Sequence, residues 1–462
     1  MKKDMDMLSG PLFKKIIIFT IPVVLSSMLQ LLYNAVDLAV VGQFCEETSL
    51  AAVGSTGALT NLIINLFIGI SIGANVSVAR AIGQKDEKKV HQLVHTAILF
   101  SVFAGIFLTI FGVLTARFWL ELMDTNADCL DLAALYLEIY FGGMIFNMVY
   151  NFGAAILRAI GDTRKPLYFL GIAGLANVGL NFLLVLVFHL DVAGVAIGTI
   201  VSQAISSIMI IVCLIRHKGI IHLNCRKLKI YRKPLLEMVI IGLPAGIQGS
   251  LFSISNVFVQ SAVNSFGSVG VVTGNTAASN VENFVYVGMN SFYQACITFT
   301  SQNYGAKKLK NCKKVLLYSL LSVTATGVLL GGAVLLFKEP LLGIYGSTGE
   351  ALEVGITRLW IICSTYCLCG IMDVFVGGLR GLGSSLMPMV VSIMGACVFR
   401  LVWIFTIFQN IHTLEILYMS YPISWFVSAV ILFGCYLFVF KKIKKLFAIE
   451  ESTLESSVKM DD

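Results

Sequence analysis

The sequence predicts an all-α polytopic membrane protein, with twelve transmembrane helices in two parallel six-helix lobes. Three observations carry that prediction. Of the 462 residues, 57% are hydrophobic and only 13% charged, and the mean hydropathy is +0.86; water-soluble domains do not have such a composition. The chain holds twelve apolar stretches, each of the roughly 20 residues that a helix needs to cross a bilayer. Displaced by 222 residues the chain matches itself without a gap, so that Pro22 meets Pro244, Gly83 meets Gly305, Arg158 meets Arg380, Gly161 meets Gly383 and Pro166 meets Pro388.

The first copy supplies helices at about 14–41, 53–80, 93–116, 133–158, 166–188 and 192–215. Pro22 lies inside the first and permits a bend, because it removes a backbone hydrogen bond. Between the fourth and fifth, Gly161-Asp-Thr-Arg-Lys-Pro166 places Gly at a helix C-terminus and Pro in the first turn of the next helix. The second copy repeats the plan at about 236–263, 272–301, 315–337, 355–380, 386–408 and 414–440, with Pro244 inside its first helix and Gly383-Ser-Ser-Leu-Met-Pro388 at the same turn. Six spans return the chain to its starting side, so the copies insert in parallel. The organisation is therefore an N-terminal lobe (1–215), a basic linker (216–235), a C-terminal lobe (236–445) and a tail (446–462).

Nearly all of the 33 Lys and Arg fall at the N-terminus, in the loops after even-numbered helices and in the tail, which places both termini in the cytoplasm. The opposite loops carry Glu46, Glu47, Glu121, Asp124, Asp128, Asp131, Glu350 and Glu353. The net charge of +7 is thus a topology signal and does not imply nucleic acid. The first apolar stretch lacks a small-residue cleavage site and matches helix 7, so it reads as a retained helix. The eleven cysteines lie mostly within helices and read as small apolar residues. His91 and His95 have metal-ligand spacing but stand at the cytoplasmic start of helix 3, where polar residues are expected, so no resident metal is assigned there.

Function has to come from polar groups that occur in lipid at a cost of about 2.5–3.5 kcal/mol per charge. In the first copy these are Asp37 on helix 1, Asn177 and Asn181 on helix 5 and Thr199 on helix 6, which share a depth below the outer boundary. A carboxylate among amide and hydroxyl oxygens can hold sodium or exchange a proton. In the second copy they are Glu282, Asp373 and Arg400, with an Arg400 ion pair to Asp373 or Glu282 expected. No Gly-x-x-x-x-Gly-Lys-Ser/Thr loop is present to bind a nucleotide. His189 and His412 occur singly in outer loops, which does not make a catalytic cluster, so an enzyme is not expected.

The pattern Val36-Asp-Leu-Ala-Val-Val-Gly42, the paired turns Leu157-Arg-Ala-Ile-Gly-Asp-Thr163 and Leu379-Arg-Gly-Leu-Gly-Ser384, and the spacing of Asn177, Asn181 and Thr199 resemble the multidrug and toxic compound extrusion (MATE) transporters, bacterial branch, over nearly the whole chain. The resemblance implies secondary active efflux of small, cationic substrates by alternating access in the bacterial cytoplasmic membrane. It also implies a monomer in contact with lipid, with no cofactor beyond sodium or a proton as coupling ion. Asp37 is similar to the family's N-lobe aspartate, with Asn177, Asn181, Thr199 and Asn151 as its partners for the ion, sodium included. Two departures leave the ion open: some members carry an acid where Asn181 stands, and sodium-coupled members place a glutamate on helix 7, which has no acid between Pro244 and Gly267. The alternative is a lipid-linked saccharide flippase of the related superfamily, against which stands the expectation of a single buried arginine, Arg400.

Overall fold

A computed structural model describes residues 5–123, 125 and 127–461, with side chains to Glu450 apart from those of residues 47, 50, 55, 58, 59 and 61 in the second helix. Asp124 and the side chain of Glu47 therefore lie outside the described residues. The described chain is almost wholly helical: α1 (Leu12–Phe44), α2 (Glu47–Gln84), α3 (Glu87–Leu122), α4 (Ala127–Gly142), α5 (Met144–Ala159), α6 (Arg164–Phe182), α7 (Asp191–Arg216), α8 (Arg232–Asn264), α9 (Val269–Gly305), α10 (Leu309–Leu336), α11 (Lys338–Ile344), α12 (Glu350–Gly381), α13 (Leu386–Ser392), α14 (Phe399–Phe405), α15 (Ile407–Asn410) and α16 (Leu414–Asp461).

These make the twelve expected spans, and the irregular ones have local causes. Ten are straightforwardly long and apolar, and an eleventh is the pair α4–α5, bent by 48° at Gly143. The twelfth, α9, is long enough but too polar to pass as a lipid-facing helix, since Asn275, Glu282, Thr298, Gln302 and Asn303 lie on it. All five are buried in protein, which is how such a helix is tolerated at membrane depth. A π turn at Leu183–Val187 extends α6, and another at Ile393–Val398 joins α13 to α14.

The repeat is conformational as well as sequential. Gly161 and Gly383 both adopt positive φ, 84° and 90°, and each closes the helix before it in the same way. The amide of Asp162 donates to the Leu157 carbonyl at 3.0 Å, and that of Ser384 donates to the Leu379 carbonyl at 2.9 Å. Lys85 and Lys307, also 222 apart, share the left-handed conformation, with φ of 58° and 57°.

The chain forms two compact units, Met1–Met5 with Ile18–Ser253, and Asp6–Ile17 with Ile254–Asp462. The division falls inside α8, beyond the 216–235 linker. That linker is folded rather than loose: Ile221 and Leu223 are buried, the Asn224 amide donates to His95 Nε2 at 3.0 Å, and the Tyr231 amide donates to Thr96 Oγ1 at 3.1 Å. His95 also spends its other ring nitrogen on the His91 carbonyl, so its role is to dock the linker, and no metal-binding cluster occurs among the described residues.

In the first unit α2, α3, α5 and α7 share a core around Val78, Leu93, Phe152 and Leu214. There α2 and α8 touch backbone to backbone through Gly69-x-x-x-Gly73 and Gly242-x-x-x-Gly246, the small-residue spacing that lets membrane helices approach closely. In the second unit the segment before α1 is anchored to the α9–α10 turn. Asn303 Nδ2 donates to the Met7 carbonyl at 2.9 Å, and Lys308 Nζ and Asn311 Nδ2 donate to that of Leu8 at 3.0 Å.

A Cβ at Gly69 would stand 2.1 Å from the Gly246 nitrogen, and backbone cannot yield as a side chain does. Gly69→Ala is expected to destabilise the purified protein by about 1–3 kcal/mol. Gly171→Ala, where nothing lies within 4 Å, is expected to leave it unchanged or up to about 1 kcal/mol more stable. Thermal unfolding in detergent compares the two.

Candidate functional site

Along α1, Gln30, Tyr33, Asn34 and Asp37 recur at helical spacing and line one side of a cavity of about 250 Å³ within the first unit. Asn177 of α6 and Thr199 of α7 line the other side. Asp37 is buried, and both its oxygens accept hydrogen bonds, Oδ1 from Asn181 Nδ2 and Oδ2 from Thr199 Oγ1 at 3.1 Å. Asn177 completes the ring: its Nδ2 donates to Thr199 Oγ1 and its Oδ1 accepts from Asn181 Nδ2, each at 3.4 Å. Four residues chosen for depth alone are thus brought together on three helices. Asn151 lines the same cavity but bonds to Asn147, whose carbonyl and Oδ1 each accept at 2.9 Å, and makes no direct bond to Asp37.

Two details bear on chemistry. The Asn181 Oδ1 is buried and has no hydrogen-bond donor, an acceptor left over in a site otherwise closed. The Thr199 hydroxyl has one proton and two acceptors in reach, Asp37 Oδ2 and the Val195 carbonyl at 3.0 Å, so it can turn its lone pairs toward Asp37 without losing its bond. Gly198 makes room for the ring, since a Cβ there would lie 2.4 Å from the Asn181 Oδ1. The sequence reading missed Tyr33, whose hydroxyl donates to the Leu170 carbonyl at 3.0 Å, and Gln30 and Asn34. Their spacing from Asp37 was the available signal.

The second unit corrects the expected pairing. Glu282 binds Arg358, which donates from Nε to Oε1 at 2.9 Å and from Nη2 to Oε2 at 2.8 Å, a planar two-bond fork. Arg358 Nη1 donates to Asn275 Oδ1 at 2.7 Å, and Tyr418 donates to the same oxygen at 3.2 Å. Arg358 went unread because it stands near the outer end of its apolar stretch, whereas α12 begins eight residues earlier, at Glu350. Arg400 pairs with neither acid; it donates to Ser424 Oγ at 3.2 Å and lies over Tyr421. Asp373 has Arg380 as its charged neighbour, and Arg380 in turn donates to the Tyr293 hydroxyl. Arg358, Arg380 and Arg400 are all buried, so the expectation of one buried arginine fails, and with it that argument against a flippase.

Comparison with known proteins decides the family. The MatE family model matches residues 22–183 and again 244–406, two copies in the register of the internal repeat. The chain belongs to the MatE family. This MatE protein is 27% identical to the probable multidrug resistance protein YoeA of Bacillus subtilis, over 92% of its own length and 93% of the relative's. It is 24% identical to the probable multidrug resistance protein YpnP of the same organism, over 86% and 89%. Its fold is that of solved MATE transporters: one bound to MaL6 superposes with a TM-score of 0.90 at 21% identity, covering 96% of this chain and 100% of that one. A MOP superfamily transporter from Pyrococcus furiosus superposes at 0.89, also at 21% identity, covering 96% and 99%. As a MatE protein it is a membrane transporter and not an enzyme.

Glu282 and Arg358 are both buried, so removing one strands the other's charge. Glu282→Leu is expected to cost about 3–5 kcal/mol, and the double variant Glu282→Leu with Arg358→Met to recover most of that loss. A double-mutant cycle on thermal unfolding measures the difference.

Proposed function

We propose that this MatE protein is a secondary active exporter of small organic molecules, cationic ones among them, in the bacterial cytoplasmic membrane. Both termini face the cytoplasm, and the protein works as a monomer surrounded by lipid. The observation that carries the reading is the buried Asp37 carboxylate in its ring of Asn177, Asn181 and Thr199, beside a cavity of about 250 Å³. Every group that ring can offer an ion is an oxygen, and the Asn181 Oδ1 is unclaimed, a donor set suited to a hard cation such as sodium. A bound sodium ion would supply positive charge to neutralise Asp37, and a proton would do the same by forming the acid. Neither requires a resident cofactor.

Asp37 anchors the charge, Asn177 and Asn181 present amide oxygens, Thr199 rotates between Asp37 and Val195, and Asn151 lines the approach. When neutralised, Asp37 no longer needs the donors that now hold it, and its helix is free to repack. That change is the coupling: inward movement of the ion exchanges one arrangement of the first unit for another, and alternating access releases the substrate outward. One charge falling through ~100 mV yields about 2.3 kcal/mol, enough for a roughly fifty-fold substrate gradient. A second reading, a lipid-linked saccharide flippase, is favoured by one observation, the three buried arginines of the second unit. The transport assay separates them, because a flippase would not clear a soluble dye.

Asp37→Asn is expected to remove ion-driven efflux while the protein stays folded, as read by a fluorescent organic cation leaving vesicles under imposed sodium or proton gradients. The gradient that drives efflux names the ion. Wild-type efflux by that variant overturns the reading. Gly198→Ala, which pushes the Asn181 amide aside, is expected to slow the same efflux severely with little change in thermal stability.

A further inference from the structure

The buried charges of the second unit do not cancel. Glu282 is neutralised by Arg358, and Asp373 has Arg380 beside it, which leaves Arg400 with no acid among its neighbours. Arginine stays protonated at any physiological pH, so this charge is permanent. The residue is only 5% exposed, its guanidinium centred 4.1 Å over the Tyr421 ring and 5.8 Å from that of Trp425, with Nε held by Ser424. Those rings offset part of the cost of burial without answering the charge. The Nη1 and Nη2 groups make no hydrogen bond to a described residue, yet they are not among the side-chain atoms sealed from solvent. The guanidinium is therefore held at Nε, while its two Nη groups have no hydrogen-bond partner among the described residues.

The location selects the occupant. Arg400 is the second residue after the π turn Ile393–Val398, an irregularity that recurs at functional sites in helices. Along its span it stands roughly 15–20 Å from either end, too deep for a lipid headgroup to reach. Tyr366 stacks on Trp425 with centroids 5.3 Å apart, so the surroundings of the fork are aromatic.

We propose that Arg400, with Tyr421, Trp425 and Ser424, is an anion-recognising subsite that takes the carboxylate or phosphate of an aromatic solute. A two-bond fork fits the paired oxygens of those groups. The substrates of this exporter then include organic anions or zwitterions, beyond the cations proposed above. The subsite lies in the unit that does not contain Asp37, and its occupation needs no ion gradient, so a binding measurement stands or falls separately from the coupling reading.

The test uses the full chain purified in detergent and three fluorescent probes: 1-naphthoate, 1-naphthyl phosphate and 1-naphthylmethylammonium. Saturable binding of both anions, followed by fluorescence anisotropy, is expected in the wild type. Arg400→Gln is expected to weaken it at least ten-fold and Arg400→Lys less, with binding of the ammonium probe unchanged in both. Tyr421→Leu keeps the charge and removes the stack, and is expected to weaken the anions alone; it serves as the independent variant if Arg400→Gln does not fold. Anion binding that is absent from the wild type, or that survives unchanged in the folded Arg400 or Tyr421 variants, overturns the proposal.

Discussion

Charge inside hydrocarbon has to be answered by protein, and this structure is organised around three different answers. Asp37 is answered by dipoles, the amide of Asn181 and the hydroxyl of Thr199. Glu282 is answered by a full counter-charge on Arg358. Arg400 is answered only by aromatic faces and one hydroxyl. The three differ in how readily the charge can be satisfied by something that arrives and leaves. A dipole cage can exchange its donors for a small cation, a buried two-bond ion pair is already satisfied, and a guanidinium with unpaired Nη groups can take an anion. The proposed roles in ion coupling and in substrate recognition both rest on that difference.

The duplicated frame makes the contrast possible. The two copies share their turns down to the sign of φ at Gly161 and Gly383 and at Lys85 and Lys307. Backbone conformation is dictated locally and survived duplication. The charges of the two polar sites did not: the position that carries Asp37 in the first copy is Val259 in the second, and Glu282 and Arg400 answer to Thr60 and Val178. Polar groups in lipid are too costly to keep without use, so each copy retains those that its own task needs.

Both units also bury backbone contacts against small residues. Between α2 and α8 the glycines at 69, 73, 242 and 246 remove the side chains that would hold the helices apart. In lipid, where apolar surface gains nothing by leaving the solvent, such close packing supplies the association energy. That α8 carries its first two-thirds with the first unit and the remainder with the second makes it a shared element, continuous in backbone across the division.

Helix number, lobe order, turn chemistry and the depth of Asp37, Asn177, Asn181 and Thr199 were all legible in the amino-acid order, because hydropathy, Gly and Pro act over a few residues and the repeat doubles the signal. Even the glycine pairs were there to be read. Partnership was not: Glu282 and Arg358 are 76 residues apart, Asp37 and Asn181 144, and no local rule says which distant side chain meets which. Depth narrowed the first set to four residues that the fold does bring together, since few polar groups share that level. It misassigned the second, where several charges lie at similar depth and only the rotation of α9, α12, α14 and α16 about their own axes determines that Glu282 faces Arg358 while Arg400 turns to Tyr421. Hydropathy is a property of each segment, whereas pairing within the membrane, and the burial that tolerates a polar helix such as α9, depend on how whole helices pack, and that was decided by the tertiary structure.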